Sequence, residues 1–423
     1  MEILLSLATA LFAGLLMSRV VKRLHLPAVT GYLIAGILVG PYCLGALGIN
    51  GLGFVKPDEA GVSISVESFE VISQVALGFI AFEIGNEFRW QELKKVGKQV
   101  VIISLTEALG AVFLVDTALV ILHFIMPDKI SLSLAITMGA IAAATAPAAT
   151  LMVVRQYKAE GKVTELLLPI VALDDAIGLM VFAISSGAAK ALMNGHVSIL
   201  AVLVEPLMEI LASLLLGAIL GAILAAIERF FHSRNNTMDV SICIVLFAVA
   251  ITLAKINIGS IEFGCSTLLV CMMVGTVFCN LSNKYEGIMD RSTRWANPVI
   301  LLFFVLSGAD LDFRVFASAT AVGMGLIYLI TRSAGKYFGA TIGAKITHSA
   351  PEAVKYLGIT LLPQAGVALG MSLTAAETLG ADGALIRNIV LFGVFIYELV
   401  GPMLAKIALT KSGDIKPENL VDQ

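Results

Sequence analysis

The chain has 423 residues, 58% of them hydrophobic and 14% charged, with a mean hydropathy of +0.94 and a net charge of −3. A soluble protein carries about a quarter charged residues, so the composition excludes a soluble globular protein and offers no basic surface for nucleic acid. Runs of about 20 apolar residues recur from end to end, enough to cross a ~30 Å hydrocarbon core at ~1.5 Å per residue. The expected class is an all-α polytopic membrane protein.

Thirteen spans follow in chain order, at about 3–21, 27–41, 66–86, 98–125, 131–154, 164–189, 198–227, 238–255, 262–280, 296–311, 314–344, 353–377 and 384–408. The first has no basic segment before it and no small-residue cleavage site, so it reads as a retained helix. The second is short and bracketed by Pro27 and Pro41. The fifth holds AIAAATAPAATLMVV, with Pro147 in its middle; the sixth holds LLLPIVALDDAIGLMVFAIS, with Asp174 and Asp175 adjacent. The eleventh carries Arg332 and Lys336 in YLITRSAGKYFGATIGA, and the twelfth Pro363 and Gly366 in GITLLPQAGVALGMS. Loops after odd-numbered spans are basic (VKRLH, RWQELKKVGK, RQYKAEGK, ERFFHSR). Loops after even-numbered spans carry only Lys56, Lys129, Lys190, Lys255, Arg314 and Arg387. Under the positive-inside rule the N-terminus is outside and the C-terminus cytoplasmic. Cys43, Cys243, Cys265, Cys271 and Cys279 form no C-x-x-C pair and read as small buried hydrophobes.

Only a short tail follows the last span, and neither a P-loop nor a glycine-rich nucleotide fingerprint occurs. A secondary transporter is expected, one unit over 1–423 with no cofactor and no enzymatic chemistry. Proline inside a helix removes a hydrogen bond and clashes with the preceding turn, and unwinding at membrane depth survives only in protein or beside a cavity. Spans five and twelve are therefore expected to be crossed discontinuous helices. They lie seven spans apart and so run in opposite directions, which allows spans one to six and eight to thirteen to be inverted repeats.

The aspartate pair is the strongest chemical signal. One charge at the centre of a membrane helix costs from ~2.5 kcal/mol to well over ~10 kcal/mol, and a structural ion pair needs one acid, not two. The pair therefore points to protons or cations. Acidic groups suit the N-terminal ends of half-helices and basic groups the C-terminal ends. Lys336 is the expected buried counter-charge; Arg332, one turn away, is the alternative, and Lys336 near the span end has a snorkelling alternative. Successive helical residues point ~100° apart, so Asp174 and Asp175 divide the work between them. Glu83, Glu107, Asp116 and Glu398 read as hydrogen-bond partners or interface residues.

With these motifs in hand, the chain resembles the monovalent cation:proton antiporter-2 family over nearly its whole length. LPAVTGYLIAGILVGP, LGFIAFEIGNEF, TAPAAT, ALDDAIG, LLFFVLSGADLDF, GKYFGATIGA, LLPQAGVALG and IYELVGP occur in the family's order. The resemblance implies a homodimer working by an elevator movement. Core helices would come from about 66–189 and 296–408 in part, with dimerisation helices including about 1–41 and 198–280. It also implies Asp175 as the site of Na⁺ and proton binding, Asp174 as the partner of Lys336, and Thr145 as a source of oxygens. Two aspartates with this lysine imply electrogenic exchange.

The expected activity is Na⁺/H⁺ antiport in a bacterial or archaeal inner membrane, with Na⁺ and protons competing at Asp175 and Li⁺ or K⁺ as possible substitutes. Na⁺ binding would release Asp174 from Lys336, and the lysine would then lose its proton. K⁺/H⁺ antiport is the nearest alternative, Na⁺-coupled solute symport a more distant one. A channel is disfavoured because no filter motif or repeat of like charges appears.

Overall fold

The computed structural model describes residues 2–24, 26–47, 53–54, 69–86, 88–93, 97–146, 150, 153–154, 156–193, 199–231, 233–254, 256–258, 261–263, 265–282, 284–311 and 318–416. Apolar runs free of internal breaks wind into single helices: α1 (Glu2–Arg23), α2 (Ala28–Val39), α3 (Glu70–Asn86) and α4 (Lys98–Ile125). α5 (Leu132–Ala142) stops within the fifth apolar run; the chain is extended at 144–146 and helical again at Thr150. α6 (Lys162–Met193), α7 (Ile199–Glu228) and α8 (Arg234–Leu253) follow, then α9 (Thr267–Leu281), α10 (Tyr285–Ala309) and α11 (Ala319–Ile346). The twelfth run is split into α12 (Pro351–Thr360) and α13 (Gly366–Thr378), and α14 (Gly380–Lys411) closes the bundle. Seven helices, among them α1, α4, α6 and α14, are individually long and apolar enough for a full crossing.

Two boundaries differ from those expected. The ninth span was drawn from 262, but Ile261–Phe263 pairs antiparallel with Ile256–Ile258 as a small hairpin. The helix begins only at Thr267, where the Ser266 hydroxyl accepts from the Leu269 amide. The tenth was drawn from 296, yet α10 starts at Tyr285. Its polar first turns bury Tyr285, Ile288, Met289, Ser292 and Ala296 at helical spacing, so the helix extends past the apolar run on an amphipathic stretch. The cysteines also divide: Cys271 and Cys279 are buried, whereas Cys43 and Cys243 are exposed. A lipid-facing position accepts a thiol as readily as a protein core does.

The most extensive contacts trace two groups of helices. α4 and α11 form the most extensive pair, and α5, α6, α12, α13 and α14 gather around them. α1 lies on α2 and α10, α2 on α10, and α3 on α9, α10 and α8. α7 runs from α6 to α9 and α8. Without a hydrophobic force between membrane helices, association depends on close approach through small residues. A methyl group at Gly36 of α2 would strike the Val305 carbonyl of α10, and one at Gly308 of α10 would strike the Leu33 carbonyl of α2. Gly85 of α3 and Gly275 of α9 are related in the same reciprocal way. Exchanging each span for the one seven later turns the first contact into the second, as inverted repeats require. The two groups meet at one rim through polar pairs: Gln74 of α3 donates to Glu377 of α13, and Arg387 of α14 pairs with Asp310 after α10.

Candidate functional site

The breaks in the fifth and twelfth runs bring two non-helical segments together. The Ala146 amide donates to the Pro363 carbonyl at 2.9 Å, the Thr150 hydroxyl to the Thr360 carbonyl at 2.9 Å and the Thr145 hydroxyl to the Leu361 carbonyl at 3.3 Å. Backbone groups freed by unwinding thus find partners in the opposite chain segment. Pro363 lies in the second break and Gly366 opens α13; Pro147 lies outside the described residues.

Two basic side chains from α11 serve this crossing, and they do different things. Arg332 has no exposure and donates Nε to Ala142 O at 3.1 Å, Nη1 to Leu362 O at 2.7 Å and Nη2 to Ala144 O at 2.7 Å. Its guanidinium carbon lies 4.5 Å from the Tyr397 ring centroid. It therefore fastens the C-terminal ends of both leading half-helices, α5 and α12, where carbonyls carry partial negative charge. Gln364 adds a neutral link, donating to Ile141 O at 2.9 Å while pairing with the Tyr328 hydroxyl.

Lys336, one turn on, also has no exposure, so it does not snorkel. Its ammonium donates to Asp174 Oδ2 at 2.7 Å, to Thr145 Oγ1 at 2.8 Å and to the Ala143 carbonyl. A second carboxylate, Glu107 of α4, stands 2.7 Å from the same nitrogen. Single-acid pairing of the lysine was the expectation; two carboxylates share it. Asp175 follows Asp174 on α6 and is 3% exposed. Gly178, one turn further along α6, faces Ala144 of the first break, at 3.4 Å for a Cβ built there. The aspartate-bearing stretch of α6 thus lies along the unwound segment.

The remaining acids are distributed differently. Glu83 is exposed, and Asp116 of α4 is half-buried against Gly139 of α5. Glu398 of α14 is fully buried, with Thr30 of α2 donating to its backbone carbonyl at 3.5 Å. Glu107 was grouped with these in the sequence because one acid in SLTEALG looks like one acid in VFLVDTALV. Only the pairing of α4 with α11 through small residues separates it from the others: Gly335 meets Ala111 and Gly339 meets Glu107 backbone atoms. That small-residue spacing (Gly335, Gly339, Gly343) was the available signal.

Residues 7–411 match the family described as sodium/hydrogen exchanger, transmembrane. The high-affinity Na⁺/H⁺ antiporter NhaS3 of Synechocystis is 25% identical over 337 residues, spanning 75% of this chain and 70% of that protein. An Na⁺/H⁺ antiporter of Enterococcus hirae is 23% identical over 356 residues, spanning 83% and 84%. Among solved structures, that of the sodium proton antiporter MjNhaP1 from Methanocaldococcus jannaschii at pH 8 superposes with a TM-score of 0.71, at 18% identity, over 97% of this chain and all of that one. With the family matched from the first helix to the last, the chain belongs to the sodium/hydrogen exchangers and is an integral-membrane sodium/proton antiporter.

Proposed function

We propose that Na⁺ and protons compete for Asp175 in an alternating-access cycle that carries net charge. The observation that supports this best is the buried Lys336–Asp174 pair one position before it. Asp174 has Lys336 as its counter-ion, and Asp175, the adjoining buried acid on the same helix, takes either a proton or a dehydrated Na⁺. Either occupant brings the pocket toward neutrality, while the empty charged form is opposed by desolvation. Na⁺ prefers oxygen ligands, and Thr145 Oγ1, Asp174 and carbonyls of the unwound segments are the local supply. As Na⁺ arrives, Asp174 turns from Lys336 and a second proton leaves the pocket.

The moving body in this reading is α4–α6 with α11–α14, sliding against α1–α3 and α8–α10. It takes part of 66–189 and 296–408 and leaves out α3 and α10, which pack with α9 and α2. A homodimer would use the scaffold side, where Leu207, Leu211, Leu215 and Ile219 form an exposed stripe on α7. The alternation of basic loops supports an N-terminus outside and a cytoplasmic C-terminus in a bacterial or archaeal inner membrane.

The test is a respiration-driven pH gradient in everted vesicles. NaCl is expected to collapse it, and Asp175→Asn to abolish the response. No collapse with Na⁺ or Li⁺ but collapse with KCl would reassign the chain to K⁺/H⁺ exchange. Na⁺ uptake that depends on an added organic solute would reassign it to symport. Near-normal exchange by Asp175→Asn would reject the site.

A further inference from the structure

We infer that Glu107 carries the second proton of the exchange cycle and takes over Lys336 when Asp174 turns to the cation. The inference rests on Asp175 as the cation site. It starts from a charge count in the pocket. Lys336, Asp174 and Glu107 all have no exposure, and the one ammonium lies 2.7 Å from a carboxyl oxygen of each acid. One cation neutralises one carboxylate. A second bare carboxylate at that depth would be an uncompensated charge in a low dielectric, the most costly arrangement available. One of the two acids therefore holds a proton while Asp175 is unloaded by sodium.

Hydrogen bonding selects which one. Asp174 Oδ2 accepts a regular bond from the ammonium. The Glu107 carboxyl faces both Lys336 and Asp174 and has no other hydrogen-bond partner among the described residues. Among the described residues, the helices packed most closely on α4 present these groups: α11 offers Lys336, with Arg332 turned to three carbonyls; α6 offers Asp174 and Asp175; and α5 (Leu132–Ala142) has no ionisable side chain. Asp116 is more than two turns away along α4.

The proton balance closes without deprotonating the lysine. In the proton-loaded site Asp175 and Glu107 are acids, Asp174 is a carboxylate and Lys336 an ammonium, for a sum of zero. Na⁺ binds between Asp175 and Asp174; Asp175 and Glu107 each release one proton to the open aqueous side; the Glu107 carboxylate stays on Lys336. The sodium-loaded site carries one negative charge, so exchange is electrogenic with a permanently charged lysine. Glu107 is thus itself a proton-carrying group, and its carboxylate form is the one that holds Lys336.

The experiment compares the full chain with Glu107→Gln in proteoliposomes, measuring Na⁺-driven proton flux and current on a supported membrane. Glu107→Gln is expected to keep Na⁺-driven proton flux, lose the net current, and need roughly twice the pH gradient to balance a fixed Na⁺ gradient at zero voltage. Glu107→Asp is expected to restore the current. An unchanged coupling ratio in Glu107→Gln overturns the inference and returns the second proton to Lys336. Should that variant fail to fold, the infrared difference spectrum of the wild-type chain on Na⁺ addition decides. Loss of two protonated-carboxyl bands supports Glu107, and loss of one overturns it. Sodium exchange surviving in Asp175→Asn would instead remove the reading beneath.

Discussion

Glycines join the helices of both groups, but among the described residues the charged side chains with no exposure all lie in one of them. In one group, α2 meets α10 and α3 meets α9 backbone to backbone, and a buried polar contact beside them joins two hydroxyls, Ser241 of α8 and Ser292 of α10. In the core, α4 meets α11 through the same kind of contact. Yet Glu107, Asp174, Arg332, Lys336 and Glu398, the charged side chains with no exposure among the described residues, all sit on α4, α6, α11 and α14. Close packing is therefore a general solution to helix association in lipid, whereas the charged side chains with no exposure gather on the helices proposed above to handle ions. Within that part the two basic side chains are matched to different partners. Arg332 answers carbonyl dipoles that are fixed by the fold, and Lys336 answers carboxylates that can change state.

The largest expected effect follows from that division. Arg332→Gln leaves the carbonyls of Ala142, Ala144 and Leu362 without their donor, and each buried acceptor left unpaired costs about 1–3 kcal/mol. Thermal unfolding in detergent should show a much larger loss than for Lys336→Gln, whose own carboxylate partners can take protons. Lys336→Gln should instead alter transport, reducing its voltage sensitivity. If Lys336→Gln unfolds as early as Arg332→Gln, the distinction between a fold charge and a transport charge fails.

A smaller effect probes the glycine contacts. Gly308→Val places a branched side chain against the Leu33 backbone, where no rotamer change in a neighbour gives relief. Overpacking of this kind costs about 1–3 kcal/mol. Because α10 belongs to the scaffold, protein that does fold should keep its apparent Na⁺ affinity. Gly339→Val, at the Glu107 backbone of the core, should cost a similar amount of stability and also change affinity. Equal affinity changes in the two variants would erase the functional boundary between the bodies.

Much of this architecture was legible in the chain, and the parts that were not share a physical origin. Hydropathy located the apolar runs, and Pro363 with Gly366 marked a break because neither residue continues a helix there. It did not locate the start of α10, since a helix leaving the bilayer becomes amphipathic and its apolar signal falls. Asp174 and Asp175 stood out because two adjacent acids are too costly to be structural. Glu107 did not, because a single acid in a span is read by its partner, and its partner lies on a helix distant in sequence. The roles of Arg332 and Lys336 were likewise interchangeable until their acceptors were known.

The smallest effect concerns how each body closes its helix ends. In the scaffold α9 is capped within its own sequence, by Ser266. In the core the N-terminus of α6, the aspartate-bearing helix, is capped from the C-terminal tail: Asp414 Oδ2 accepts from the Val163 amide at 3.1 Å, the Thr164 amide at 2.8 Å and the Thr164 hydroxyl at 2.8 Å. Ser412 steadies the other oxygen at 3.0 Å, and the tail backbone carbonyl of Asp414 takes the Glu160 amide. A carboxylate here also meets the positive end of the α6 dipole. Asp414→Ala should cost about 1 kcal/mol, the usual worth of an N-cap, and Asp414→Asn less, since an amide oxygen still accepts. Because the cap joins two parts of the same body, both variants should retain the coupling ratio of sodium to protons while unfolding slightly earlier. A changed coupling ratio in Asp414→Asn at unchanged stability would mean that the tail reaches the ion site through α6, and the core would then extend functionally to Asp414.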